Sequence, residues 1–312
     1  QMLSVLPMYH ALEFTSGFIM SIYGGTTVTY LNSPTAMLEI MRETQTTVMV
    51  AVPRFFQMLY NTIMRHLTKS ANLAINSTPL NVKFDADIIQ KAHQAMGGKI
   101  RVFVSGGASL PNTVYDNFNR LGITIHQGYG LTESAPVLAV TPYKKSRRSS
   151  VGFAVDGTKV EIKNANFDGI GEIVAKGPSV MRGYYKNPEA TERAIINDYL
   201  HTGDLGCFDD DGYLYITGRS KEVIVTSAGK NVYPTEIEAL YCQNEMIDEL
   251  CAVGISLTDA ISEEVHVVIK PQENNELAQE AVEQLIRGQM KTCGEELPSY
   301  QQIHKSHFLW HD

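Results

Sequence analysis

The sequence has little cysteine, no excess of positive charge and no long apolar run, and each shortage excludes a class of protein. Its four cysteines, Cys207, Cys242, Cys251 and Cys293, stand 35, 9 and 42 residues apart, unlike a zinc-binding repeat or a disulfide-stapled peptide. They indicate reduced thiols and a cytoplasmic protein. Because 34 acidic side chains outnumber 26 basic ones, the formal charge is -8 and we expect no nucleic-acid partner.

The apolar residues make up 44% of the chain, enough for a buried core. No apolar run reaches the roughly 20 residues that cross a bilayer, so only a peripheral membrane contact of the whole protein stays open. At about 150 residues per domain, the length predicts two domains. The first residue is Gln1 rather than Met, and we expect the chain to be part of a longer protein.

The first 140 residues contain the pattern of a βαβ unit, in which a helix joins two parallel strands. Its predicted elements are a strand at Ile100–Val104, a tight loop at Ser105–Ser109, a helix at Asn112–Leu121 and a strand at Ile123–His126. A buried strand at Val48–Val52 and an apolar-striped helix from Phe55 to Leu67 precede the unit. Because parallel strands end at one edge of a sheet, Ser105–Pro111 and Gln127–Pro136 are the predicted binding loops.

The rest of the chain changes character twice. After Pro142, short alternating runs broken by turns predict a small β-rich subdomain, which we expect to form a barrel. Beyond Gly218, strands and helices alternate in a third pattern, which predicts a compact α+β lid. We therefore predict an α/β fold in three parts: a parallel α/β portion at 1–140, a β-barrel subdomain at 141–218 and a lid at 219–312.

The segment from Gln127 to Glu133 combines two glycines with a planar ring, a hydroxyl and a carboxylate. These groups suit a nucleotide. Tyr129 can stack on a base, Thr132 can donate to a phosphate oxygen, and Glu133 can hold Mg²⁺. An ordinary turn is the competing interpretation of the Gly-x-Gly pattern taken alone.

Two further segments offer charged groups to a sugar. Asp204 follows the flexible Gly203, so both of its oxygens can accept hydrogen bonds from the vicinal hydroxyls of a ribose. Arg219, within Gly218–Glu222, can reach the same ribose or a phosphate and keeps its charge at any relevant pH. The competing interpretations are a capped turn at Gly203-Asp204 and a solvated charge cluster around Arg219.

In their order and spacing, these segments resemble the AMP-forming acyl-CoA synthetases of the adenylate-forming superfamily, and most closely the long-chain fatty acid–CoA ligases. The resemblance covers essentially the whole chain, and the residues that carry it are Leu6-Pro7-Met8-Tyr9-His10 with Glu13, Val52-Pro53-Arg54, Ser105-Gly106-Gly107-Ala108, Gln127 to Glu133, Gly171-Glu172, Gly183-Tyr184-Tyr185, Thr202-Gly203-Asp204, Gly218-Arg219 and Gly229-Lys230-Asn231 with Pro234 and Glu236.

The resemblance implies a two-step ligase with ATP, Mg²⁺, CoA and a fatty acid as its small-molecule partners. The carboxylate of the acid attacks the α-phosphate of ATP, giving an acyl-adenylate and pyrophosphate, and the CoA thiol then displaces AMP. Catalysis by positioning and charge neutralisation suffices because the carboxylate arrives already ionised.

The resemblance also assigns residues to the ATP or AMP site. It implies that Tyr129 lies on the adenine, Thr132 contacts the α-phosphate, Glu133 binds Mg²⁺, and Asp204 holds the ribose with Arg219. Further nucleotide contacts are implied for Gly106, Gly107, Gln127 and Gly128.

Three more positions match the family at other sites. Lys221 matches the hinge about which the lid rotates between the half-reactions, and Gly229 lies where the pantetheine of CoA passes. His10 matches the acyl-chain entrance, although a lone histidine in an apolar segment is more often a satisfied core residue.

The sequence departs from the family by lacking its Ser/Thr/Gly-rich phosphate loop and its lid lysine. We therefore expect the 312-residue chain alone to be inactive in adenylation and the full-length protein to be active. An amino-acid or other carboxylate adenylation enzyme and a non-catalytic nucleotide-binding module are the alternatives.

Overall fold

The computed structural model describes residues 1–71, 84–227, 229–242, 244, 246–256, 263–272, 277–295 and 297–310, and for residues 68–71 it describes the backbone only. The chain divides into two compact units, and each is described by itself. The first unit comprises Gln1–Glu161, Val174–Thr202 and Phe208–Tyr215, and the second comprises Ile162–Ile173, Gly203–Cys207 and Ile216–Asp312.

The strands of the described residues are β1 (Met2–Ser4), β2 (Val28–Tyr30), β3 (Val48–Ala51), β4 (Val102–Ser105), β5 (Ile125–Tyr129), β6 (Ala139–Val140), β7 (Ser150–Ala154), β8 (Lys159–Lys163), β9 (Gly171–Lys176), β10 (Ile195–Ile196), β11 (Tyr199–Phe208), β12 (Leu214–Arg219), β13 (Ile224–Val225), β14 (Asn231–Val232), β15 (Ile247–Ser256), β16 (Glu263–Pro271) and β17 (Lys305–Phe308). Hydrogen bonds join the first twelve into one sheet, in the order β2-β1-β3-β4-β5-β6-β7-β12-β11-β9-β8, with β10 beside β11.

The helices of the described residues are α1 (Met20–Tyr23), α2 (Met37–Thr44), α3 (Pro53–Ala71), α4 (Ala86–Ala95), α5 (Asn112–Arg120), α6 (Pro188–Ala194), α7 (Pro234–Tyr241) and α8 (Gln279–Gly294). A π-helical segment at Glu13–Ile19 leads into α1. None of the helices in these described ranges is long and apolar enough to cross a membrane.

The parallel part of the large sheet forms because its strands are apolar where they pair. β1, β3, β4 and β5 run parallel, and their registers place Leu3, Met49, Phe103 and Ile125 in one continuous row. All four side chains are completely buried. A row of this kind fixes the register, because a slip by one residue would turn every apolar side chain to the opposite face.

Helices α3 and α5 cover this row with aromatic side chains. The ring of Phe118 in α5 lies 5.7 Å from that of Phe103, 6.1 Å from that of Phe56 and 5.9 Å from that of Tyr60. The predicted apolar stripe of α3 is confirmed, since Phe56, Leu59, Tyr60 and Ile63 are all buried.

The predicted α/β fold is confirmed, and the βαβ unit is present with its boundaries moved. β4 and β5 are parallel, but β5 continues to Tyr129 and then pairs antiparallel with β6. Gln127, Gly128 and Tyr129, predicted as part of a loop, are therefore strand residues. The strands expected to form a barrel continue the path of the same sheet through β6 and β7.

The second unit contains a three-stranded sheet in the order β15-β16-β17. Strands β15 and β16 are antiparallel, and β17 joins β16 in parallel. Helix α8 packs on this sheet through Val282 and Ile286, which are buried together with Val267 and Ile269. This arrangement is the α+β pattern predicted for the end of the chain, with β17 as a strand that the sequence analysis missed.

The aromatic cluster under the sheet predicts a large loss of stability when Phe118 is truncated. Phe118→Ala removes a fully buried ring and leaves a cavity, so we expect the free energy of unfolding to fall by about 3–5 kcal/mol. Urea denaturation followed by circular dichroism measures the change. Phe167→Ala is the control, because that ring is fully exposed and its loss should change stability by no more than about 0.5 kcal/mol. Equal effects of the two substitutions would contradict the packing described.

Candidate functional site

Two predicted site segments meet at the carboxyl ends of β4 and β5. Ser105 at the end of β4 is paired with Gln127 in β5, and the Gly106 amide donates a 3.1 Å hydrogen bond to the Ala51 carbonyl. A Cβ on Gly106 would lie 3.5 Å from the Gly128 carbonyl oxygen and 3.3 Å from Leu12. The structure therefore brings the Gly106 loop and the Gln127–Tyr129 segment together, as predicted.

Glycine is required at two positions of this edge. A Cβ at Gly130 would collide with the Pro136 carbonyl oxygen, so the chain leaving β5 can pass only without a side chain. Gly107 has a φ of +79°, in the left-handed region that favours glycine. These glycines let the backbone approach closely around the end of β5.

Gln127 adds a polar group to the buried side of this edge. Its backbone amide donates a 2.8 Å hydrogen bond to Thr141 Oγ1. Its side-chain Nε2 is buried and has no hydrogen-bond partner among the described residues. A buried amide without a partner is costly, which makes Nε2 a donor available to a ligand.

A single 3₁₀ turn, Thr132–Ser134, presents the hydroxyl and the carboxylate of the predicted nucleotide segment. The buried Ser134 hydroxyl fixes this turn by accepting the Leu131 amide at 3.0 Å and lying 2.9 Å from the Leu131 carbonyl. Thr132 remains exposed on the outer side of the turn. Sequence reasoning missed the role of Ser134, because its partners come from the local fold of the turn.

Glu133 is held by a residue distant in the chain. The Tyr184 hydroxyl donates a 2.9 Å hydrogen bond to Glu133 Oε1, and the Met181 amide donates a 2.8 Å bond to the Glu133 carbonyl. Burial, together with the hydrogen bond to Glu133, raises the pKa of Tyr184, so the phenol stays protonated as the donor. The sequence indicated Tyr184 only as part of the Gly183-Tyr184-Tyr185 motif and predicted no contact with Glu133.

The groups at this turn fit a magnesium ion carried by a nucleotide. Within the part of the chain that the structure describes, no three acidic, histidine or cysteine side chains gather to form a metal cage. Mg²⁺ is commonly held by one or two carboxylates and by substrate phosphates rather than by such a cage. Glu133 Oε2 and the Thr132 hydroxyl offer the hard oxygen atoms that this ion prefers.

The second unit holds the other predicted pair, Asp204 and Arg219. Asp204 lies inside β11, so the competing interpretation of a capped turn is wrong. Its carboxylate is buried, and Oδ1 lies 3.3 Å from Nε of Arg219, whose side chain is 63% exposed. The preceding Gly203 has a φ of +73°, and its amide donates to Glu172 Oε1 at 3.3 Å. The structure thus brings Asp204 and Arg219 together as an ion pair.

Two further predicted positions lie in the same unit. Lys221 is exposed in a turn directly after β12. Gly229 has a φ of +67°, and no described atom lies within 4 Å of the place where its Cβ would be. Tyr129, Thr132 and Glu133 belong to the first unit, whereas Asp204, Arg219, Lys221 and Gly229 belong to the second.

In the segment that begins with His10, the competing interpretation of a core histidine is wrong. His10 is exposed, and its Nδ1 accepts a 3.3 Å hydrogen bond from the Leu12 amide. Glu13, three residues later, is completely buried, and neither of its oxygens has a hydrogen-bond partner among the described residues. A Cβ on Gly17 would collide with Glu13 Oε1, so the carboxyl folds across Gly17 within the π-helical segment.

Comparisons with known proteins identify a family. A family model described as AMP-binding enzyme matches residues 1–185. The long-chain-fatty-acid–CoA ligase FadD15 of Mycobacterium bovis is 31% identical over 276 residues, which cover 81% of this chain and 45% of the relative. The 2-succinylbenzoate–CoA ligase of Bacillus cytotoxicus is 32% identical over 183 residues, covering 56% of this chain and 37% of the relative. The chain thus spans less than half the length of both curated relatives.

Solved structures show the same fold. ATP-bound MatB from Rhodopseudomonas palustris is 25% identical, with a TM-score of 0.76 over 99% of this chain and 56% of the other. The o-succinylbenzoate CoA synthetase of Bacillus subtilis, in complex with ATP and magnesium ion, is 23% identical, with a TM-score of 0.74 over 99% and 57% of the two chains.

Glu13 predicts how stability depends on pH. Burial raises the pKa of Glu13 above its ordinary value of 4.5. The folded state therefore keeps a proton that the unfolded state releases, and the free energy of unfolding falls as the pH rises from the ordinary pKa through the raised one. Because Gln cannot ionise, we expect Glu13→Gln to flatten this fall and to be more stable than the natural protein near neutral pH.

Urea denaturation across this pH range measures the effect. Glu39→Gln is the matched control, because Glu39 is exposed and its substitution should leave the shape of the pH curve unchanged. Parallel curves for the natural protein and Glu13→Gln would show that Glu13 does not titrate abnormally.

Proposed function

Because this chain belongs to the AMP-binding enzyme family, we propose that it is the part of an ATP-dependent acid–CoA ligase that holds the adenylate. The observation that carries the proposal is the turn after β5, where Tyr129, Thr132 and a held Glu133 stand beside the Gly106-Gly107 loop. A ring, a hydroxyl donor and a carboxylate at one sheet edge are the groups that an ATP with its divalent cation requires.

The first proposed step forms the acyl-adenylate. A carboxylate oxygen of the acid attacks the α-phosphorus of ATP, a new O–P bond forms, and the bond to pyrophosphate breaks. Tyr129 stacks on the adenine, Thr132 donates to an α-phosphate oxygen, and Glu133 holds the Mg²⁺ that offsets phosphate charge. No proton needs to move, because the acid is already ionised at neutral pH. The contribution of these residues is positioning and electrostatic stabilisation.

The ribose contact is proposed for Asp204 and Arg219. The buried Asp204 carboxylate forms an ion pair with the largely exposed Arg219, whose guanidinium keeps its charge at any relevant pH. A carboxylate in this setting suits two neighbouring hydroxyls, because each can donate a charge-assisted hydrogen bond to it. A carboxylate already paired with a guanidinium group is poorly suited to binding a metal ion as well.

The second proposed step transfers the acyl group to CoA. The thiol sulfur forms a bond with the acyl carbon, the bond to AMP breaks, and the thiol proton is released. The exposed Lys221 is proposed as the hinge of a lid at 219–312, and Gly229 as the position that leaves room for pantetheine. The boundaries of this lid and of the barrel subdomain at 141–218 stay predictions.

A long-chain fatty acid is the proposed substrate. The support is the 31% identity to FadD15, a long-chain-fatty-acid–CoA ligase, over most of this chain. An acid of another class is the alternative, since the 32% identical relative from Bacillus cytotoxicus acts on 2-succinylbenzoate by its name. His10 is proposed to lie at the entrance for the acid, where its exposed ring follows the apolar segment Leu6-Pro7-Met8.

A panel of acids tests the proposed reaction in the full-length protein. CoA-dependent formation of AMP is measured with acids from short to long chain and with 2-succinylbenzoate. We expect AMP only with acid, ATP and CoA together, and the fastest rate with a long-chain acid. A protein that binds ATP but forms no AMP with any acid would be a non-catalytic nucleotide-binding module instead.

The ribose assignment predicts that Asp204→Asn weakens ATP binding. Loss of charge-assisted hydrogen bonds worth about 1.5–3 kcal/mol should weaken the affinity about 10- to 100-fold. Calorimetric titration of the full-length protein with MgATP measures the change. Asp210→Asn makes the same chemical change at an exposed position and should have no effect. An unchanged affinity for the Asp204 variant would remove the ribose assignment.

A further inference from the structure

Tyr184 determines which oxygens of Glu133 face a ligand. Its hydroxyl lies 2.9 Å from Glu133 Oε1 and donates to it. The donor is an uncharged hydroxyl, so Oε1 accepts a hydrogen bond while the carboxylate keeps its negative charge. Oε2 is then the oxygen of Glu133 left for a cation.

A chain of contacts holds Tyr184 in this position. The Tyr184 amide donates to Thr191 Oγ1 at 2.8 Å, and the Thr191 hydroxyl donates to the Asn187 carbonyl at 2.9 Å. Asn187 caps helix α6 by accepting the Ala190 amide at 3.1 Å. The phenol is therefore anchored to the first turn of a helix.

The residue before Tyr184 completes this anchor. Gly183 has a φ of +151°, and a Cβ there would lie 2.7 Å from Thr191 Cγ2. Only glycine lets the chain pass this close to Thr191 in that conformation. The backbone is thus adapted to place the ring of Tyr184 against Glu133.

We infer that Tyr184 is a positioning residue that makes Glu133 a one-oxygen ligand and thereby selects a small octahedral cation, Mg²⁺ or Mn²⁺, over Ca²⁺. The inference rests on the proposed binding of a metal–nucleotide by Glu133. Ca²⁺ accepts six to eight oxygens and often takes both oxygens of one carboxylate, whereas Mg²⁺ requires near-ideal octahedral geometry with single oxygens. A carboxylate with one oxygen already hydrogen-bonded therefore suits Mg²⁺, which takes a single oxygen, better than Ca²⁺, which often takes both.

Tyr184→Phe tests the inference, because it removes the hydroxyl and keeps the ring. Calorimetric titrations of the full-length protein with MgATP and with CaATP give the ratio of the two affinities. We expect the preference for MgATP to fall about threefold to tenfold, as for the loss of one partly exposed charge-assisted hydrogen bond. Comparing the ratio between variants cancels the different strengths with which the two cations bind free ATP.

Two matched variants separate positioning from general damage. Tyr185→Phe removes the same hydroxyl from the neighbouring residue, which is 87% exposed, and should leave the ratio unchanged. Thr191→Val should lower the preference for MgATP, as Tyr184→Phe does, because valine cannot accept the Tyr184 amide. Thr191→Ser should keep the preference of the natural protein, because serine retains the accepting hydroxyl.

The outcomes distinguish this inference from the proposed function. An unchanged ratio in Tyr184→Phe, or equal losses for the two cations, would overturn the inference while MgATP binding by the natural protein upholds the nucleotide site. Absence of MgATP binding in the natural protein would overturn both. A lower ratio in Tyr184→Phe together with an unchanged ratio in Tyr185→Phe supports the inference.

Discussion

The parallel pairing of β4 with β5 is the constraint on which the candidate nucleotide site depends. The completely buried row that includes Phe103 and Ile125 sets the register of these strands, and that register places Ser105 beside Gln127. The Gly106 loop and the turn after Tyr129 follow directly from those two positions. The chemistry proposed for this edge therefore depends on apolar packing beneath the sheet, since a slip of one residue would exchange its faces.

Backbone and side-chain contacts together hold the turn after β5 in place. The close passage at Gly130, the buried Ser134 hydroxyl and the Tyr184 phenol each fix one part of it. Groups that are already oriented do not need to be reorganised when charge develops, which is the condition for electrostatic stabilisation of a transition state. The Thr132 hydroxyl and Glu133 Oε2 are groups of this turn that stay available to a ligand.

Local patterns in the sequence predicted the helices and most strands, but not the side-chain contacts that orient the residues of the turn after β5. The apolar stripe from Phe55 to Leu67 predicted α3, because a period of 3.6 residues is visible in the sequence itself. Gln127–Tyr129 was predicted as a loop because its glycine suggests a turn, whereas pairing with β6 keeps it extended. Tyr184 and Glu133 are 51 residues apart, and no spacing rule connects them. The residue types of the site and the Asp204–Arg219 pair were thus predictable, whereas the contact that orients Glu133 was not.

Two carboxylates, Glu133 in the first unit and Asp204 in the second, have different partners and therefore suit different proposed ligands. Glu133 faces a neutral hydroxyl donor, which orients it without neutralising its charge, so it retains its attraction for a cation. Asp204 is buried beside the guanidinium of Arg219, which already supplies the positive charge that a buried carboxylate needs. A second cation at Asp204 would meet repulsion from Arg219, whereas neutral hydroxyl donors would not. The neighbouring side chain is thus the feature that supports the proposed metal contact for Glu133 and the proposed sugar contact for Asp204.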